Sequence, residues 1–488
     1  MSLKNSFINR YAAQVFLFIT ALFIRAPFFF RDYIDHDEST FILMGQSIAN
    51  GYLPYDHVWD LKPPLLFYFF SLIEYLFPYS FTAIRFSGVL IVFASALFLL
   101  KIAKEVNLKN GFLIALSYVI VSSEFGSVQG VMSEHLAVFF LLPGLLFFLK
   151  KEKAAHLFIA GIFFGCAMLC KLSYAYAAGA LLIFYFIQTG RIENFQRALS
   201  SSLFLVIGIF IPIVLLAIPF MLENKLELFI NSVFLAPLEY ARALQYSMTE
   251  KLKRTWWIIA LGVFISFLSL KTSGEENRNI AFVLIALLSG TIYTFFSSGI
   301  VNGHYMIQVY PFLLLLLLGI IVRKEFHIKL GVTAIFVLLI SFESISEYYT
   351  LITNYRKNST LHYRQSFTIK NVLKKAGLDN KKIFFADYHI GYWLLKQHPL
   401  TKSTTHPSNL SRPFLFKYFN NNHKTSIEEL KYLMEEIRPD IVVSKLEQLG
   451  FFSAGSQENI YFKTIIAKEF EILYQDSTRK IFIWQRHK

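Results

Sequence analysis

Apolar residues along the chain fall in blocks of roughly 17–22, about the length that spans a hydrocarbon core of about 30 Å. Clear examples lie at 11–30, 203–220, 280–296 and 305–322. Isolated strands would leave backbone groups unpaired in lipid, so the blocks predict membrane helices packed as a bundle. Helices are expected near 11–30, 80–101, 111–124, 135–150, 156–170, 172–188, 200–221, 256–270, 279–297, 305–322 and 328–346. That makes about eleven spans. A further apolar run, Pro63–Phe77, lies between polar segments and fits the count less easily.

Charge decides how that run is read. If it spans, Lys101, Lys104 and Lys109 are extracytoplasmic, and so are Lys150, Lys151 and Lys153. If it lies in the membrane plane, both clusters move inside with Arg191, Arg197, Lys271, Arg323, Lys324 and Lys329. Lys and Arg are retained on the cytoplasmic side, so the second arrangement is expected. Residues 31–79 then form one long extracytoplasmic loop containing helices in the membrane plane. Lys251, Lys253 and Arg254 fall outside in this scheme, partly offset by Glu239 and Glu250 on a long segment where the rule is weak.

After about residue 350 the pattern changes. Charge density becomes ordinary, and short β-rich runs appear at Lys382–Phe385, Ile441–Ser444 and Ile481–Trp484, with helix-like stretches at Phe367–Ala376 and Ser426–Ile437. The expected organisation is an α-helical polytopic membrane domain over 1–350 and a small soluble α/β domain over 351–488. An odd number of spans places that domain outside, on the face of the long loop.

Composition agrees with this division. Of 488 residues, 55% are hydrophobic and 16% charged, well below the quarter typical of soluble domains. Mean hydropathy is +0.48. The net charge of +14 does not point to nucleic acid, because the basic residues sit at the ends of apolar blocks rather than along one stripe. Cys166 and Cys170 share one apolar helix and behave as small hydrophobes, with no disulfide framework implied. The basic segment Met1–Arg10 leads into a run that is too long, and lacks the cleavage site, for a signal peptide; it reads as a retained first span.

Candidate chemistry concentrates in the first loop. Asp35, His36, Asp37 and Glu38 follow the first span directly. Neighbouring carboxylates raise one another's pKa unless a cation or proton sits between them, which suits a general base or a metal ligand. For a membrane protein at large, an interfacial polar cap is the commoner explanation. Next come Asp60, Leu61, Lys62, Pro63 and Pro64. The prolines can start a helix at its first turn, placing its N-terminus close to Lys62, and both favour a phosphate. On its own, Lys62 reads first as a snorkelling anchor before an interfacial helix.

Taken in order, these segments resemble a family. Asp37-Glu38-Ser39-Thr40-Phe41, then Asp60-Leu61-Lys62-Pro63-Pro64-Leu65, then Arg85 after Leu76-Phe77, resemble the opening of the GT-C glycosyltransferases. The likeness is greatest to the protein O-mannosyltransferase and aminoarabinose-transferase branch, especially its bacterial members. Glu134 in Met132-Ser133-Glu134 resembles the acidic residue of that group's second outer loop, and Lys171 a Lys in its short loop between two spans. Asn302-Gly303-His304-Tyr305, with Gln308 and Pro311, resembles a late motif, and Arg438-Pro439-Asp440-Ile441-Val442-Val443 a segment of the tail.

The resemblance implies an inverting transfer from a polyprenyl-phosphate-linked sugar to a hydroxyl acceptor at the outer face of the cytoplasmic membrane. Asp37 would be the general base, with Glu38 beside it; Glu134 and Asp60 would orient it or the acceptor. Lys62, Arg85, Lys171 and His304 would bind the donor phosphate. No cofactor is certain. Some members need a divalent cation, for which Asp35, Asp37 and Glu38 are the candidate ligands. Two other functions share features with this one: a transporter or flippase of lipid-linked saccharides, and a polymerase or ligase moving whole glycans. Transporters often show paired halves, and none is visible.

Overall fold

The computed structural model describes residues 2–150, 153–243, 246–322, 324 and 329–487. Lys151 and Arg323 of the charge argument lie outside them. The chain divides into two compact units: Met1–Phe29 with Arg85–Ile218 and Ala243–Tyr349, and Phe30–Ile84 with Pro219–Arg242 and Thr350–Lys488.

The first unit is helical throughout. Among the described residues of the whole chain, six helices are long and apolar enough to cross a membrane: Tyr11–Phe30, Phe81–Glu105, Tyr174–Ile192, Phe195–Leu222, Met248–Thr272 and Glu275–Ser298. A seventh span is formed if Leu330–Ile340 and Phe342–Asn358, bent by 69° at their junction, count as one. The chain is therefore a multi-pass membrane protein, but the expected eleven spans are not confirmed. Gly111–Val121, Ser133–Leu149, Ala154–Cys170 and Tyr310–Ile321 are helical yet shorter than span length.

The bend has a specific cause. Glu124 accepts hydrogen bonds from the Glu343 N–H at 2.8 Å and the Ser344 N–H at 3.3 Å, donors that a fresh helix start leaves open, and from the Ser344 hydroxyl at 2.7 Å. Helix packing in this unit relies on small residues, as lipid offers no hydrophobic drive between helices. A Cβ on Gly208 would run into the Phe158 carbonyl and stand 2.9 Å from the Gly161 Cα, so these two helices cross backbone to backbone.

The second unit begins with helices His36–Ala49 and Pro64–Leu76, both within residues 31–79. A Cβ on Gly45 would lie 2.7 Å from the Phe70 Cβ, so only glycine lets them cross there. Phe41 seals the crossing, its ring 5.7 Å from Phe70 and 6.3 Å from Phe67. Further along lie four strands: β1 Ile383–Phe385, β2 Ile441–Ser444, β3 Phe470–Asp476 and β4 Ile481–Arg486. Their order is β1-β2-β4-β3, with β1 and β2 parallel and the other pairs antiparallel. Phe384, Val442, Phe462 and Trp484 fill the core beneath the sheet. The runs expected as strands at 382–385, 441–444 and 481–484 form β1, β2 and β4. Strand β3 and the helix Gln457–Glu469 were not signalled: β3 is an edge strand, largely exposed, whose sequence FEILYQD lacks clean alternation.

Candidate functional site

Within the second unit, the helix His36–Ala49 starts on Asp35, whose Oδ1 accepts the Asp37 N–H at 2.9 Å. That carboxylate is therefore occupied as an N-cap. Asp37 and Glu38 stand in the first turn, where the helix dipole favours negative charge. Glu38 is buried and Asp37 partly exposed.

Asp37 Oδ2 receives the Lys62 ammonium at 3.1 Å. Three features fix Lys62. Asp60 Oδ2 accepts its backbone N–H at 3.1 Å, closing an Asx turn, and the Tyr55 hydroxyl donates to its carbonyl at 2.7 Å. Pro63 then takes the cap position of helix Pro64–Leu76, with φ −67° and ψ 156°. The expected helix start beside Lys62 is thus present.

The other oxygen of Asp37 faces a residue that sequence reasoning did not single out. His406 Nε2 lies 3.6 Å from Asp37 Oδ1. Its Nδ1 accepts the Ser408 backbone N–H at 3.1 Å, which places the proton of the neutral ring on Nε2, toward Asp37. His406 packs with two more histidines: ring centroids of His36 and His406 are 5.8 Å apart, as are those of His389 and His406. His389 Nε2 sits 3.0 Å from Thr40 Oγ1 and 3.2 Å from the His36 carbonyl. Burial, reinforced by His406 and Lys445, lowers His36 to about 3; burial likewise holds His389 well below the usual histidine range. Both rings stay neutral beside Asp37. No local motif marks 389 or 406, and only folding brings them to residue 37.

Asp35 caps the helix, Asp37 faces Lys62, and among the described residues no group of three His, Cys, Asp or Glu is arranged to hold an ion.

The first unit holds a separate charged cluster. Glu134 opens the helix Ser133–Leu149 and is ion-paired with Lys171, the residue that ends Ala154–Cys170. His304 Nε2 stands 4.0 Å from Glu134 Oε1, and the Tyr305 ring centroid lies 4.0 Å from the Lys171 ammonium. Three candidates from well-separated segments thus meet in one place. Arg85, also in this unit, is buried and donates to the Phe28 carbonyl at 2.6 Å. Arg25, which was not singled out, is buried too and donates to the carbonyls of Ser122, Val128 and Gly130 at 3.2, 2.8 and 2.7 Å. A charged residue inside an apolar span was the available signal.

Comparison with known proteins adds the following. Residues 61–220 match the family described as dolichyl-phosphate-mannose-protein mannosyltransferase, a stretch that contains Lys62, Arg85, Glu134 and Lys171 but neither Asp37 nor His304. No curated protein matches the chain in sequence. Among solved structures, ArnT from Cupriavidus metallidurans bound to undecaprenyl phosphate is similar at 12% identity and a TM-score of 0.48, over 96% of this chain and 97% of that one. The Archaeoglobus fulgidus oligosaccharyltransferase tethered to an acceptor peptide is similar at 13% identity and 0.46, over 96% and 73%.

Proposed function

We propose that the chain is a glycosyltransferase that moves a sugar from a polyprenyl-phosphate donor to a hydroxyl acceptor, at the outer face of the cytoplasmic membrane. The observation that carries this reading is the Asp37–Lys62 pair. A carboxylate able to take a proton and an ammonium able to meet a phosphate stand 3.1 Å apart at the starts of two crossing helices. Lys62 also lies within the stretch matching a family whose description names a dolichyl-phosphate-linked mannose.

In this mechanism the donor phosphate draws Lys62 away from Asp37 and leaves the carboxylate open as a base. The acceptor oxygen attacks the anomeric carbon on the face opposite the phosphate, and its proton passes to Asp37. The bond between that carbon and the phosphate oxygen breaks. The electron pair leaves with the phosphate, whose growing charge Lys62 meets. Asp60 acts through the Lys62 backbone, and His406 holds Asp37 from the other side. Glu38 keeps the helix start acidic. Lys171 and His304, gathered on Glu134, form a second place where a donor phosphate would find cations, and Arg85 a third cation of the same unit. Residues 31–79 and 351–488 then face outward, as the Lys and Arg distribution favours.

Deletion of the gene followed by mass analysis of surface glycans and glycoproteins tests this. A missing single-sugar modification is expected, restored by the wild-type and Asp35→Asn genes but not by Asp37→Asn. Restoration by Asp37→Asn would sink the assignment of the base. Loss of a whole glycan chain would indicate a polymerase or ligase instead.

A further inference from the structure

A cavity in the unit that carries Asp37 has a composition of its own. It measures about 350 Å³ and is walled by Tyr79, Phe81, His362 and Phe367, with Lys370 and Asn371 on one side. The walls are built rather than incidental. The Phe367 ring lies 4.7 Å from His362 and 5.9 Å from Phe81, and Phe81 packs at 4.5 Å on Trp393.

The cavity is cationic and uncompensated. Among the described residues no carboxylate pairs with Lys370; its charged neighbours are Lys374, one turn along the helix Gln365–Lys375, and Lys396. Burial, then those two lysines, push its ammonium below the ordinary lysine range. Lys396 itself stands 4.9 Å above the Tyr79 ring. Glu74, which holds the cavity residues Tyr79 and Trp393, has both oxygens engaged, by the Tyr79 N–H at 3.1 Å and the Trp393 indole N–H at 2.9 Å. Lys370 in the cavity wall, with two further lysines near it and no carboxylate paired to it among the described residues, carries a standing electrostatic cost, which an anion would remove. Location narrows the anion further. Ser80, Phe81 and Thr82 line the cavity and lead into Phe81–Glu105, a helix of span length, so the cavity adjoins the start of a candidate span, where a lipid headgroup is a natural source of the anion.

We propose that this cavity is a second binding site, independent of the transfer reaction, for a phosphate-bearing headgroup: Lys370 meets the phosphate while the aromatic walls hold the carbon skeleton attached to it. Amino groups are good phosphate partners as point charges, and the rings supply the amphipathic wall that a glycerol or sugar skeleton needs.

The test uses full-length protein purified in neutral detergent. Calorimetric titrations with dihexanoyl phosphatidylglycerol, dihexanoyl phosphatidylcholine and glycerol 3-phosphate are run on wild type, Lys370→Gln, Lys370→Arg and Lys463→Gln. Lys463 is an exposed lysine on another helix of the same unit and controls for net charge. Saturable binding of an anionic probe is expected, weakened at least about tenfold by Lys370→Gln and within about threefold of wild type in Lys370→Arg and Lys463→Gln. Equal affinity for glycerol 3-phosphate and the lipid identifies a soluble phosphate ester as the ligand; binding of the lipid alone identifies a bilayer headgroup. Absence of saturable binding, equal loss in Lys463→Gln, or phosphatidylcholine binding as tightly as phosphatidylglycerol would overturn the proposal.

Discussion

His406 turns its Nε2 toward Asp37 Oδ1 at 3.6 Å across 369 positions of sequence, and Ser408 sets the tautomer that makes this possible. The distance is within ion-pair range but longer than a hydrogen bond. His406 therefore steadies the carboxylate without quenching it, and it comes from the C-terminal region rather than from the loop that carries the acid.

From this follows the first prediction. His406→Ala lowers kcat by about tenfold while the KM for the lipid-linked donor stays within about twofold, because it misplaces the base and not the phosphate partner. His406→Gln, which retains an N–H donor, restores part of the loss. A lower melting temperature with activity per folded molecule kept would show a purely structural residue.

Asp37 and Asp35 separate base from cap. Asp37→Asn should cost about 10²–10⁴-fold in transfer while the helix start survives. Asp35→Asn still caps and should be nearly silent, whereas Asp35→Ala should cost about 1 kcal/mol of stability. A dead Asp35→Asn variant with active Asp37→Asn would move the base two residues back.

Lys62→Ala is expected to raise the donor KM, since an ammonium beside the leaving phosphate is a charge-assisted partner. Asp60→Ala should produce a weaker version of the same change, as it frees only the Lys62 backbone. A snorkelling anchor would leave turnover unchanged in purified Lys62→Ala.

The Glu134–Lys171 pair predicts non-additivity. Lys171→Ala leaves the buried Glu134 carboxylate without its ammonium partner, with only His304 and the Ser133 hydroxyl beside it, at a cost of up to about 3–5 kcal/mol. Glu134→Gln in the same molecule should recover much of that stability. If Lys171 meets the donor phosphate, activity stays low in the recovered double variant; if the pair is structural, activity returns with the fold.

The histidine cluster sets an acid limit. His36 is lowered to about 3 against an unfolded value of 6.5, so the unfolded chain binds more protons between those values. Its contribution is complete above about pH 6.5 and shrinks as pH falls toward about 3. The melting temperature should therefore drop from pH 7.5 to 5.5 more steeply in wild type than in His36→Gln. Parallel profiles would contradict a neutral, buried His36.

Impermeant thiol labelling tests orientation in a background where Cys166 and Cys170 are alanine. Tyr52→Cys and Thr478→Cys, both exposed positions, should label in intact spheroplasts, and Lys104→Cys only after lysis. Protection of both outer sites would reverse the assignment.

Hydrophobic block length and the charge at block ends were enough to declare a helical, multi-pass membrane chain. Each requires only local physics: lipid forbids unpaired backbone, and Lys and Arg stay inside. The first-loop acids, Lys62 and the double proline were legible because a capped helix start is a local pattern. Length in space was not. Four of the eleven blocks fold as helices shorter than span length and the last is bent at residue 341, where Glu124 caps the new helix, so the count of eleven is not confirmed. Nor could the sequence announce that Glu134, Lys171 and His304 share one site, or that His389 and His406 enclose Asp37. Those meetings join residues far apart in the sequence, and only the folded packing decides them.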